Sequence, residues 1–428
     1  MSAAQDKEFF ACLALRHSPG LGPRQALPLL EHYGSAFAAV QDAAGWGRLG
    51  LLRDPDLLRA FRAEAWRPDA EEEFRAAKAL GQARLCWGDA DYPETLRGIP
   101  DPPLVLYLAG DASLLRNPAV AVVGARECTN LGLASAERIS AGLSALGLTV
   151  VSGLAVGIDR QAHLGGLSGL GSSIAVLGAG LDRNYPPQNA DLRKVLEERG
   201  LVVTEFPPGT PPRPGNFPVR NRLISGLSLG VVVAEAASRS GSLITARLAL
   251  EQGREVFALP GPLGQPSFVG CHELIRQGAC LVDKAEDILE SLRFALRLRL
   301  EDLRPTPPDF QAPDLPPARS EEPLRPAPRK PRGKAKAAPA KRAAPAVPAK
   351  QAAPAAPEIP ADLPPLERDL LGLLRRDRKA HIDTLCRDLG RSSAEVGSAL
   401  LLLEMKSLVR QWPGMCYTLF EDGEAYGN

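Results

Sequence analysis

The sequence predicts an α/β protein built around a doubly wound, mainly parallel sheet of Rossmann-like design. Three observations carry this expectation. From Ala119 onward, short apolar runs alternate with segments of helical periodicity: AVAVVGAR, LTVVSGL, SSIAVLGAG, LVVTEFP, LGVVVAEA and EVFALPG. The runs are apolar almost throughout, as strands covered on both faces are, rather than alternating with polar residues. Nearly every run also ends in small residues, among them Gly124, Ser152, Gly153, Gly157, Gly178 and Gly180. Ligands of such sheets lie beyond the carboxyl ends of the strands, and small residues there leave room for something extended to pass close to the backbone.

Composition limits the function classes. The 428 residues carry 51 lysines and arginines against 50 aspartates and glutamates, a net charge of +1, so any nucleic-acid site must be a local patch. The seven cysteines form no CxxC pair and no metal-ligand spacing, which argues for reduced thiols and against a disulfide framework or a metal site. The N-terminus MSAAQDKEFF lacks a signal-peptide core, and no run of about eighteen apolar residues occurs. The expectation is a soluble cytoplasmic protein with no membrane partner.

Residues 1–83 read as helices, with SPGLGPR forming a turn at Gly20 and Gly22 beside Arg24. Such a turn can face a DNA backbone, although glycine and proline between two helices suffice for the turn alone. Residues 84–303 hold the sheet, entered through proline-rich turns and a further strand-like run, LVLYLAG. Residues 304–361 are rich in proline, alanine and lysine and read as an extended, disordered linker whose cations could hold DNA without specificity. Residues 362–428 read as three helices and two short strands around Pro413 and Gly414, the third helix opening with a capping box at Ser392 and Glu395.

The stretch Asn216 to Ala246 concentrates the candidate chemistry. FPVRNR reads as a cationic turn in which Arg220 and Arg222 flank Asn221, with Phe217 leading in. Two guanidiniums so placed can bracket adjacent phosphates; they suit surface ion pairs equally well, and spacing alone leaves both open. After the strand Leu229 to Ala234, SRSGSLITA offers Gly241 for a turn, and Ser240 or Ser242 to cap a helix whose N-terminal amides attract anions. No GxxxxGK[ST] is present, and VVGAR lacks both a GxGxxG pattern and an acidic residue for a ribose, so neither P-loop hydrolysis nor a dinucleotide cofactor is expected. Asp159 and His163, four apart on one helix face, have no nucleophile or metal partner at motif spacing and read as structural.

FPVRNRLISGLS, VVVAEA and SGSLITA, in that order and with GIDRQAH upstream, resemble the core signature of the DprA (Smf) family of bacterial DNA-processing proteins. The resemblance implies a SAM-like helical domain at the N-terminus, a winged helix at the C-terminus and no enzymatic activity. It implies sequence-independent binding of single-stranded DNA, with weaker duplex binding, protection of incoming DNA and loading of a RecA-type recombinase in natural transformation. Together with the residue reading it nominates Gly124, Arg126, Ser152, Gly153, Phe217, Arg220, Asn221, Arg222, Ser240, Gly241 and Ser242 for DNA. It also nominates His272, Ile275 and Leu281 for a homodimer contact. A phosphoribohydrolase of related fold is the enzymatic alternative, but where its loop carries a catalytic glutamate this chain has Leu248, three after Thr245. Catalytic residues, metal and cofactor are therefore expected to be none. The outward positions of the third C-terminal helix are small, apolar or acidic, which leaves protein contact as open as DNA contact.

Overall fold

The structure, a computed structural model, describes residues 3–52, 54–296, 305–307, 309–316, 363–377, 380–405, 408–412 and 416–419. The chain divides into two compact units, Met1–Arg329 and Lys330–Asn428.

The first unit begins with the helices Ala3–His17, Pro23–Tyr33, Ala36–Gln41, Pro55–Arg62 and Arg67–Ala79. Their starts follow local chemistry. Pro23 supplies a preset φ in the first turn, and the side chains of Ser35 and Asp54 accept amide N–H groups that have no partner inside the helices they precede. Gly20, in the turn between the first two helices, adopts φ +78°, and Arg24 is exposed. Buried Glu73 ties these helices together and to the sheet: it accepts from Arg16 at 3.2 Å and Tyr107 at 2.5 Å, and lies 2.6 Å from His17 Nε2.

Nine strands follow: β1 (Ala83–Cys86), β2 (Val105–Gly110), β3 (Ala119–Val123), β4 (Thr149–Ser152), β5 (Ser173–Val176), β6 (Leu201–Thr204), β7 (Gly230–Val233), β8 (Glu255–Ala258) and β9 (Cys280–Leu281). They form one sheet in the order β1-β2-β6-β5-β4-β3-β7-β8-β9, antiparallel at β1–β2 and β2–β6 and parallel elsewhere. The expected doubly wound, mainly parallel sheet is therefore present. β1, at one edge, is only four residues long, ARLC, and Arg84 interrupts its apolar run, so it gave no periodic signal. Both faces are covered, as the apolar runs required: Ala121 and Val123 of β3 point into one core, Val120 and Val122 into the other.

The chain lays β3, β4, β5 and β6 outward in one direction, then returns to place β7 against the other side of β3. The β3–β7 boundary is thus the switch point, where the helices after the two strands depart to opposite faces and open a crevice.

Two sequence expectations are corrected here. FPVRNR is not a turn but lies within the helix Asn216–Gly226. Pro218 occupies the first turn, where no intrahelical N–H bond is lost, and Leu223, Ile224 and Leu227 give the apolar face. Within 304–361, Thr306 is held against the first unit: its N–H donates to Ala145 O at 2.8 Å and its hydroxyl accepts from Leu170 N at 2.8 Å. Leu315 packs on the same unit's core, and the remainder of that stretch falls outside the described residues apart from a few positions near it.

The second unit contains the helices Pro365–Asp377, Ile382–Leu389 and Ser393–Met405 with β10 (Ala380–His381), β11 (Val409–Trp412) and β12 (Cys416–Leu419) in the order β10-β12-β11. This is a winged helix around Leu370, Leu374, Leu385, Leu400 and Leu403. The capping box is present: Ser392 N donates to Glu395 Oε2 at 3.1 Å and Glu395 N to Ser392 Oγ at 3.4 Å. The turn at Pro413 and Gly414 lies outside the described residues. Among the described residues no helix is long and apolar enough to cross a membrane, and no group of three or more His, Cys, Asp or Glu side chains is placed to hold a metal ion.

Candidate nucleic-acid interface

Two adjoining cavities open along the carboxyl edge of the sheet. One, of about 240 Å³, lies past the ends of β4 and β5 and is lined by Gly153, Gly178, Arg183, Tyr185 and Gln188 among others. The second, of about 260 Å³, lies past β3 and β7 and is lined by Gly124, Asp159, Asn221, Ser240, Gly241 and Ser242 among others. Arg126, Ala155, Phe217 and Arg220 line both.

Arg220 is the central charge. It is only 4% exposed, its Nη1 donates to Val176 O at 2.6 Å, and its Nε has no partner. Burial pulls its pKa down to about 10, against the pull of Asp159, so it stays cationic at neutral pH. A buried guanidinium with donor capacity unused is poised for an anion, because leaving such a group unsatisfied is costly. Phe217, one helical turn before it, lies beneath two cations: the Arg126 and Arg220 guanidiniums stand 5.5 and 5.9 Å from its ring centre. Tyr185 stands at 5.6 Å on the cavity wall. Gly153 is required by this crowding, since a Cβ there would collide with the Arg220 guanidinium.

The loop 153–157 between the cavities is held from below. Asp159 Oδ2 accepts from Gly153 N at 3.2 Å and Ala155 N at 3.3 Å, and Asn189 donates to the carbonyls of Leu154 and Ala155. Leu154 N donates to His163 Nε2 at 3.2 Å, so the ring proton is on Nδ1, 2.7 Å from Ser173 Oγ, which donates onward to Val150 O. Every polar atom of the imidazole is engaged, and burial lowers its pKa to about 3. Leu154 sits at φ +55° and Gly157 at φ +79°, the strained backbone that such fastening sustains at a site. Asp159 and His163 thus both hold the loop through its amides.

On the far wall the helix Ser242–Glu251 presents its N-terminus. Gly241, not a serine side chain, occupies the capping position; Ser240 Oγ and Ser242 Oγ are 2.8 Å apart, and both residues line the cavity. A helix of ten residues directs its N-terminal partial positive charge at this point.

The structure brings Gly124, Arg126, Gly153, Phe217, Arg220, Asn221, Ser240, Gly241 and Ser242 to the cavity walls. It removes two nominated residues. Ser152 is fully buried, its hydroxyl donating to Val122 O at 2.7 Å. Arg222, two residues beyond Arg220 on a helix, points to the opposite side, where its Nη2 meets Glu205 at 2.6 Å and its Nε meets Asp101 at 3.3 Å. Of the three dimer nominees, His272 is engaged with Gly261 O at 3.1 Å and Ile275 packs on the core, while Leu281 is half exposed on the edge strand β9. Arg183, Tyr185 and Gln188 were missed, although LDRNYPPQ begins five residues after the end of β5 and so falls in the loop at that strand's carboxyl end.

Comparison with known proteins bears on the family of the chain. A family model described as DNA recombination-mediator protein A matches residues 83–293, and one described as the DprA winged helix domain matches residues 352–415. Protein Smf of Escherichia coli is 48% identical over 227 residues, 50% of this chain and 61% of that protein's length. DNA processing protein DprA of Streptococcus pneumoniae is 47% identical over 206 residues, 48% of this chain and 73% of that protein. The X-ray structure of the Streptococcus pneumoniae protein superposes with a TM-score of 0.57 at 38% identity, covering 66% of this chain and 97% of that one. The match to the central sheet, the match to the winged helix and the high identity to relatives lead to one conclusion: the chain belongs to the DprA (Smf) family of DNA-processing proteins.

Proposed function

We propose that this protein binds single-stranded DNA without sequence preference along the carboxyl edge of its sheet, shields it, and passes it to a RecA-type recombinase. The observation that carries the DNA reading is Arg220: buried, cationic, with an unpartnered Nε, and shared by two cavities that also offer a helix N-terminus and an aromatic ring. Phosphate oxygens suit Arg220, Arg126 and the amides near Ser242; Phe217 gives a base a face to stack on. The recombinase partnership and a role in natural transformation rest on family membership, and a homodimer through the β9 edge rests on exposed Leu281. Asp159, the carboxylate lining the second cavity, has its Oδ2 occupied by loop amides, which favours binding over catalysis.

The test is fluorescence anisotropy with a labelled oligothymidylate of about 20 nucleotides, single strand against duplex, over a salt series. The log of the affinity should fall with log salt by about 0.7 for every phosphate neutralised. Arg126→Ala should lower the slope by about that amount and weaken binding. Arg220→Lys, which keeps the charge but loses the planar fork, should weaken binding further. Equal affinity of wild type and both variants would exclude the edge as the DNA site.

A further inference from the structure

Four loops at the carboxyl edge, from β6 to β7, each contribute one arginine and one carboxylate: Arg126 and Glu127 after β3, Arg183 and Asp182 after β5, Arg213 and Glu205 after β6, Arg239 and Glu235 after β7; the β1–β2 connection beyond β6 is acidic, and there Asp91 pairs with Arg116 and Asp101 with Arg222. By sequence the four loops are neutral. The fold sorts the charges. Glu235 is buried and accepts from Thr129 N at 3.0 Å and Thr129 Oγ1 at 2.9 Å, Glu205 is buried against Arg222, and Asp182 pairs with Arg183 at 3.2 Å and accepts from Gly209 N at 2.8 Å. All four arginines are exposed, and Glu127 is left as the exposed carboxylate without such an engagement.

We infer that the DNA track extends past the two cavities to Arg213 at one end and Arg239 at the other, so that the edge loops hold successive phosphates of one strand. This rests on the single-stranded DNA reading and adds its path and extent. Both arginines are placed for it. Arg213 O accepts the N–H of Asn216, whose side chain in turn donates to Gly178 O at 3.0 Å on the wall of the first cavity. Arg239 directly precedes Ser240, in a turn closed by Ser240 N donating to Ala237 O, on the wall of the second cavity. Neither arginine forms an ion pair among the described residues. β6 and β7 are four strand steps apart, which at about 4.8 Å per step is roughly 19 Å. At about 3.4 Å per phosphate for a stacked strand, and up to twice that for a stretched one, the track spans roughly three to six nucleotides.

Arg213→Ala, Arg239→Ala and the double variant test this in the full chain, with a thymidine dinucleotide and an oligothymidylate of about 20 nucleotides as probes and a thermal melt as a check on folding. Each single variant should weaken the longer probe about threefold and lower its salt slope by about 0.7, the double variant by about twice that slope, while the dinucleotide, too short to span the track, binds as to wild type. Unchanged slopes for the rim variants, with Arg126→Ala still impaired, overturn the extended track and leave the function standing. Equal losses for short and long probes also overturn it, because the arginines would then act on the cavities themselves. If wild type binds neither probe, the DNA reading fails and the track falls with it.

Discussion

Acidification should destabilise the first unit through His163 before most carboxylates titrate. The imidazole is fully buried, accepts from Leu154 N, and donates from Nδ1 to Ser173, so a second proton has no acceptor and must displace the Leu154 amide. Its pKa, lowered by burial to about 3, compares with an ordinary 6.5 in the unfolded chain. Between those values the unfolded state binds the extra proton and the folded state does not, so stability falls as pH falls. Going from about pH 7.5 to about pH 5, this single group removes about 2 kcal/mol, close to 1.4 kcal/mol for each unit below 6.5. Urea unfolding followed by tryptophan emission measures it, since Trp46, Trp66 and Trp87 all lie in the first unit. His163→Gln keeps an acceptor and a donor but cannot ionise, so the difference between its pH profile and that of wild type isolates the histidine. Parallel profiles for the two proteins over this range would refute the reasoning.

Other substitutions separate structural residues from binding ones. Ser152→Ala should cost about 1 kcal/mol in urea unfolding by removing the bond to Val122 O, and leave single-strand affinity within about twofold. Arg222→Ala should cost about 3–5 kcal/mol by leaving Glu205 buried without its partner, while the protein that remains folded still binds DNA. Gly157→Ala should destabilise by about 2 kcal/mol or more, because φ is +79° and a Cβ would press on the carbonyls of Ala125 and Arg126; by shifting Arg126 it should also weaken binding, read by anisotropy.

The sequence by itself determined the sheet and most of what lies along its edge. Valine-rich runs have nowhere to go but a strand covered on both faces, small residues mark where those strands end, and Ser392 with Glu395 suffices to start a helix. These are local properties, set within a few residues. What only the tertiary structure decided is direction. Two arginines two residues apart could flank one ligand if the backbone were extended; on a helix they are about 200° apart, and Arg220 entered the site while Arg222 went to Glu205. The hydroxyl of Ser152 was equally free in sequence to face ligand or sheet, and the neighbouring Val122 carbonyl took it. Charge followed the same rule: a chain with net +1 shows no attraction for DNA in its totals, yet turning Glu205 and Glu235 inward and leaving Arg126, Arg183, Arg213 and Arg239 outward gives the loops from β6 to β7 more exposed cations than exposed carboxylates. Residue type and spacing fix which groups are available, but the partners that compete for them arrive from distant parts of the chain, and only packing chooses among those.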